Sequence, residues 1–173
     1  MDVVHPFMLV DGDREAMEFR RAGYDDDLTE LSRYVEGDLV SVASGEVLKS
    51  VITTPANILP LYIAGQDWDQ PFALPYFEER GVPLNVIPQK NLFVMTYQGA
   101  TANGTPHEFV TADLNAVRGG ARREIVYNTV ERCYTVRAGA TNPTVQLVDV
   151  HKGAVGDTNV QVIVRILDPY LGS

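Results

Sequence analysis

From residue 38 onward the chain is a succession of short runs in which apolar and polar residues alternate, separated by Gly, Pro and Asn. A period of two sends successive side chains to opposite faces of a strand, and the valines and threonines that dominate these runs suit a pleated surface. The pattern predicts strands over residues 38–43, 46–52, 59–64, 84–87, 92–97, 124–128, 132–137, 144–150 and 159–167. The last run shows it most cleanly: Val160, Val162, Val164 and Ile166 share one face, and Asn159, Gln161, Ile163 and Arg165 the other. Such a segment is a half-buried antiparallel strand. Between the first two runs, Ser44-Gly45 supplies the backbone freedom that a two-residue hairpin needs. Short strands without helices between them argue against a parallel sheet, whose crossovers need a dozen or more residues each, usually helical. The fold class expected is therefore all-β, a small antiparallel β-barrel or β-sandwich. No repeat at a fixed period is visible, which disfavours propellers and solenoids.

The front of the chain has a different texture. Residues 11–37 are charged and poor in β-branched side chains, and they read as an extended acidic arm (residues 1–37) ahead of a single β domain (residues 38–173). Within the arm, Asp27 and Glu30 followed by Leu28, Leu31 and Val35 fit a short capped helix. Two long connections interrupt the strands, and long ordered loops in β domains usually carry function. Residues 65–83 hold Trp68, Phe72, Tyr76 and Phe77 among stiffening prolines, either capping an open barrel end or facing a partner. Residues 98–123 are rich in Gly, Ala, Thr and Asn, with a turn of helix starting at Thr111, and are expected to be mobile unless covered.

Composition changes little: 173 residues, 45% hydrophobic and 21% charged, describe an ordinary globular chain that can bury about 70% of its extended surface. Charge changes more. Residues 1–46 carry twelve acidic and four basic side chains, so a net charge of −8 out of −9 sits in the front quarter. A negative field repels phosphate, so nucleic acid is not an expected partner. The basic cluster Arg118, Arg122 and Arg123 lacks interleaved aromatics and reads as a solvated loop or a salt-bridge partner for the arm. The first ten residues hold no basic n-region, and no run approaches the roughly 20 apolar residues of a spanning helix. Synthesis in the cytoplasm and no membrane partner are expected.

The chemistry sought is not legible. His5, His107 and His151 have no His or Cys at metal-ligand spacing, and Asp11-Gly12-Asp13 and Asp25-Asp26-Asp27 lack the register of a calcium loop. No nucleophile elbow or phosphate loop occurs; Gly119-Gly120 is followed by Ala-Arg-Arg, and Glu78-Glu79 are adjacent, so their side chains do not face one another. Cys133, the single cysteine, lies in an alternating run and reads as core. No catalytic residue, metal or cofactor is expected.

Tyr34-Val35-Glu36-Gly37-Asp38-Leu39-Val40 followed by Ser44-Gly45-Glu46-Val47 gives an acidic segment, a Gly-Asp-Leu-Val strand entry and a Gly-x-Val hairpin return. Over residues 30–64 this order resembles the small β-rich head decoration, or capsid cement, proteins of tailed bacteriophages. The resemblance implies a non-enzymatic virion protein that binds the major capsid protein on the outside of the shell, stabilises it, and often self-associates into a symmetric oligomer. Residues 1–37, with Asp25, Asp26 and Asp27, and the loop bearing Trp68, Phe72, Tyr76 and Phe77 are the expected partner-binding surfaces. A phage tail or surface carbohydrate-binding β module, whose aromatics stack on sugar rings, is the alternative; an enzyme with a site assembled from distant residues is the third.

Overall fold

Along the chain the strands are β1 (Met8–Asp11), β2 (Glu15–Ala22), β3 (Leu39–Ala43), β4 (Glu46–Lys49), β5 (Leu61–Ala64), β6 (Gly81–Val86) and β7 (Leu92–Gly99). Helix α1 (Thr111–Arg118) follows, and then β8 (Arg122–Asn128), β9 (Cys133–Arg137), β10 (Val145–Lys152) and β11 (Gln161–Ile166). The structure, a computed structural model, describes residues 8–11, 15–22, 36–43, 46–49, 61–65, 81–87, 90–101, 105–128, 130–131, 133–138, 141 and 143–167. The fold is all-β, and every run read as a strand beyond residue 38 contains one. The helix turn expected at Thr111 is α1.

Two rings of paired strands organise the chain. In the first, β2 pairs β4, β4 pairs β3, β3 pairs β5, β5 pairs β6, and β6 returns to β2, closing a barrel. In the second, the circuit runs β7, β9, β8, β10, β11 and back to β7. Numbered within its own ring, each barrel has the order first, third, second, fourth, fifth, first. In both, the pairing of first with third strand is parallel and every other pairing antiparallel. The chain is thus two copies of one topology, which corrects the expectation of no internal repeat. Parallel pairing, excluded as the basis of a sheet, closes each ring.

The match extends to register. Moving the β3–β4 hairpin by 86 residues turns Val40↔Lys49, Ser41↔Leu48 and Val42↔Val47 into Val126↔Thr135, Tyr127↔Tyr134 and Asn128↔Cys133, the observed pairs of β8–β9. The same shift lays Asp27, Leu28, Leu31, Leu39 and Val40 on Asp113, Leu114, Val117, Ile125 and Val126. The helix expected around Asp27 lies outside the described residues.

The acidic arm is corrected where it is described. Residues of β1 pair β7 antiparallel at Leu92–Val94, and β2 is a stave of the first barrel, paired with β6 from Glu15 to Arg21. Residues 8–11 and 15–22 are therefore not an appendage to a domain beginning at residue 38. Their charge concealed them: Glu15, Glu18, Arg20 and Arg21 break the apolar alternation that marks the other strands.

Alternate residues of the second ring make its core: Phe93, Met95 and Tyr97 on β7, Ile125 and Tyr127 on β8, Tyr134 and Val136 on β9, with Val145, Leu147, Val162, Val164 and Ile166. Leu39, Leu61 and Ile87 from the first half belong to the same cluster. Across that contact the buried Tyr134 hydroxyl donates to Leu39 O at 2.6 Å. Burial pushes the Tyr134 hydroxyl well above its ordinary value, with the Asp38 carboxylate adding to the shift. Burial likewise pushes the Cys133 thiol up to about 12, and the Glu131 charge raises it further.

Both groups stay protonated in the native protein where the unfolded chain ionises, at ordinary values of 9.0 for the thiol and 10.0 for the phenol. Stability is therefore full below about pH 9 and falls as pH rises through 10 toward 12. Denaturant melts across that range should show the decline, and Cys133 should resist iodoacetamide at pH 8 until the chain is unfolded, because only the thiolate attacks. Deleting residues 1–22 removes a stave and is expected to abolish cooperative unfolding of the first barrel, as read by circular dichroism. Deleting residues 1–11 removes only β1 and should leave both rings closed.

Candidate functional site

The densest set of polar side chains gathers where β7 hands over to α1. Asp113, third residue of the helix, accepts from Val110 N–H through Oδ2 at 3.0 Å and so satisfies one of the donors orphaned at a helix start. Val110 has no side-chain oxygen to return the bond, so this is half of a capping box. The same carboxylate accepts from His107 Nε2 at 2.9 Å and from the Tyr97 hydroxyl at 3.1 Å. Three donors on one half-buried carboxylate tie the connection, the helix and β7 to a single point. Tyr97 also meets Phe109 edge-on with ring centroids 5.5 Å apart, a favoured aromatic arrangement.

Gly99 completes this clamp. Its φ of +60° lies in the left-handed region, and a Cβ there would overlap the His107 ring. Glycine is thus required twice over, by conformation and by the approach of the imidazole. At the other end of α1, Gly120 at φ +62° provides the left-handed residue that ends the helix, its N–H donating to Val117 O at 2.9 Å. Burial raises the Tyr97 hydroxyl above its ordinary value; the nearby Arg123 guanidinium opposes that shift and the Asp113 carboxylate adds to it. Arg123 donates to Arg122 O at 3.0 Å while its buried Nε has no hydrogen-bond partner.

A second polar set lines a small, solvent-open cleft on the second barrel. Its floor is Thr96 and Gln98 of β7, Thr135 of β9 and Asn128 at the end of β8, each at most 5% exposed. These positions alternate with the core residues, so they sit on the opposite face of their strands. Thr135 donates to Gln98 Oε1 at 2.6 Å. Asn128 Oδ1 accepts from Val130 N–H and Glu131 N–H at 3.0 and 3.1 Å and shapes the β8–β9 turn. Its Nδ2 donors have no protein acceptor among the described residues.

The cleft's walls come from two segments laid side by side. Phe109 N–H donates to Asp157 O, Gly156 N–H donates to Phe109 O, and Glu108 bridges Thr158, so residues 105–109 run beside the β10–β11 connection. Thr105 and Pro106 line one wall and Asn159 the other. Asn159, at φ 54°, is the one non-glycine residue with positive φ among those described. Glu131, an exposed residue, completes the lining.

None of the partner-binding residues expected from sequence belongs to either set: Trp68, Phe72, Tyr76, Phe77, Asp25, Asp26 and Asp27 lie outside the described residues. The basic trio separates, Arg118 and Arg122 being exposed and Arg123 partly buried. The stretch 98–123, expected to be mobile unless covered, holds α1, the Asp113 cluster and one wall of the cleft. His107 and Asp113, six residues apart, match neither helical nor strand spacing and gave no signal; only Gly99 and an acid at the third helix position hinted at them. Among the described residues no three His, Cys, Asp or Glu side chains converge as a metal set, and no helix is long and apolar enough to cross a membrane. No protein-family model, curated protein or solved structure matches the chain.

Asp113→Ala strips three donors of their acceptor and is expected to lower the unfolding free energy by about 2–4 kcal/mol. In that background His107→Ala should cost much less than it does alone, since the two share one bond. Urea melts of the two single variants and the double variant check both statements.

Proposed function

We propose that the chain is a non-enzymatic structural protein of a tailed-phage virion, which binds the outside of the capsid and stabilises the shell. One observation carries the reading: the residues that bear the resemblance act together as a strand-entry and hairpin unit. Gly37 N–H donates to Ala64 O and Ala64 N–H donates to Asp38 O, so the Gly-Asp-Leu-Val segment enters β3 pinned to β5. Strand β3 then pairs β4 across Ser44-Gly45 on one edge and β5 on the other. Buried Leu39 and Leu61 anchor this unit to the common core.

A second feature is consistent with the reading. The Asp113 carboxylate spends its hydrogen bonds on groups of its own barrel, as a rigidifying cluster does. A rigid body that binds only the assembled shell shifts its stability by mass action, with no chemistry of its own. Repeated copies over a shell, or association into a symmetric oligomer, multiply a weak single contact. The loop containing Trp68, Phe72, Tyr76 and Phe77 is the proposed docking surface toward the major capsid protein, because aromatic anchors dominate interface energetics.

Co-sedimentation with purified expanded heads lacking the protein tests this. The chain should pellet with heads and raise the temperature at which they release their genome. Trp68→Ala should weaken pelleting about tenfold or more without lowering the melting temperature of the free protein. Failure of the wild-type chain to bind heads at micromolar concentration would sink the proposal.

A further inference from the structure

We infer that β1 is an exchangeable arm: on self-association, β1 of one molecule pairs with β7 of a second molecule, which gives its own β1 in return. The inference concerns self-association alone and does not depend on capsid binding, so its failure leaves the reading above untouched.

One edge of β7 is divided between two strands. Phe93 and Val94 each pair with both β1 and β11, so β1 and β11 lie on opposite edges of β7. Thr96 pairs with Gln161 of β11 and with Thr135 of β9, which puts β9 on the same edge as β1. The two lie end to end: β9 takes the stretch from Thr96 to Gly99 and leaves a slot at Leu92–Val94 for one further strand. Among the described elements β1 is the one strand with a single neighbour, and the second ring closes without it. The slot is filled by backbone pairing at Met8, Leu9 and Asp11, which the β1 of any molecule supplies equally.

The connection to β2 favours a donor from outside. Three residues, Gly12-Asp13-Arg14, separate β1 from β2, a length that commonly closes a hairpin. Here β1 and β2 do not pair with each other: β1 joins the second barrel and β2 the first. Four Cα–Cα steps span at most about 15 Å, so within one molecule this short link alone carries the chain from one barrel to the other. A short hinge under such a constraint is the usual setting for strand exchange, because opening it releases the hinge and conserves every pairing. With the hinge extended, β1 and β2 form one line, and β1 reaches about 20 Å beyond Glu15 toward a neighbouring molecule. Residues 3–10 carry no acidic or basic side chain other than His5, in a chain of net charge −9. Two like-charged molecules thus meet through a neutral strand.

Sedimentation velocity of the full chain, from micromolar to sub-millimolar concentration, should show an oligomer that grows with concentration, and the chain lacking residues 1–11 should stay monomeric. Exchange itself is read by mixing two single variants, Met8→Cys and Val94→Cys, and oxidising the mixture with copper–phenanthroline. The two positions are direct partners across β1 and β7, close enough for a disulfide. Burial keeps the Cys133 thiol protonated and out of the reaction. A covalent dimer holding one chain of each variant is expected on a non-reducing gel, and it should be absent when either variant is oxidised alone. The inference is overturned if the full chain is monomeric throughout, or if removing residues 1–11 leaves its association unchanged. It is equally overturned if the mixture gives no mixed dimer while a chain carrying both substitutions closes its disulfide within one molecule.

Discussion

Closing a sheet of five short strands on itself is the constraint from which the rest of this structure follows. An odd number of staves cannot alternate direction all the way round, so one pair in each ring must be parallel. Here that pair is always the first and third strands. The second strand cannot then follow the first as a simple hairpin, because it must lie beyond the third. The chain has to travel between them, through residues 23–38 in one copy and 100–121 in the other. In the second copy that journey contains α1, and the Asp113 clamp fixes where it lands.

The repeated topology explains how so short a chain carries so many strands, yet its two halves differ. Both copies retain the hairpin register, and Val40 and Val126 are the same residue at the same place. Elsewhere the copies have diverged in charge: residues 1–46 account for nearly all of the net negative charge, and the remainder is almost neutral. The copies also share material. Strand β1 precedes the first barrel in the chain yet pairs with β7 of the second, and Tyr134 reaches back to Leu39 O. A buried hydroxyl bonded to a main-chain carbonyl of the other ring makes the relative placement of the two halves costly to change.

The sequence displayed those parts of the fold whose physics is local. Alternation marked β11 because Val160, Val162, Val164 and Ile166 all face the core, and the two runs flanking Ser44-Gly45 marked the antiparallel β3–β4 pair. Strand β2 was hidden because Glu15, Glu18, Arg20 and Arg21 interrupt the apolar alternation in the sequence, while the strand itself is defined by backbone pairing with β6. The repeat was hidden because the register is conserved while the residues are not: Asn128 replaces Val42 and Tyr134 replaces Leu48. The site was less legible still. His107 and Asp113 meet only because the backbone turns at Gly99 and again at Val110, and no spacing rule encodes that path. The cleft gathers side chains from β7, β8, β9 and two connections, a convergence that exists only after closure.

The clamp and the cleft are physically continuous. Residues 105–109 form one wall of the cleft, and that wall is held from two directions: by Phe109 bonded to Asp157 and Gly156, and by His107 bonded to Asp113. Gly99, against which the imidazole lies, follows directly on Gln98 of the cleft floor. A segment tied on one side to a helix start and on the other to the β10–β11 connection keeps little freedom to move. A His–Asp pair that looks catalytic in isolation thus has a consistent role as a brace, one whose hydrogen bonds stabilise the barrel and fix the shape of the polar surface beside it.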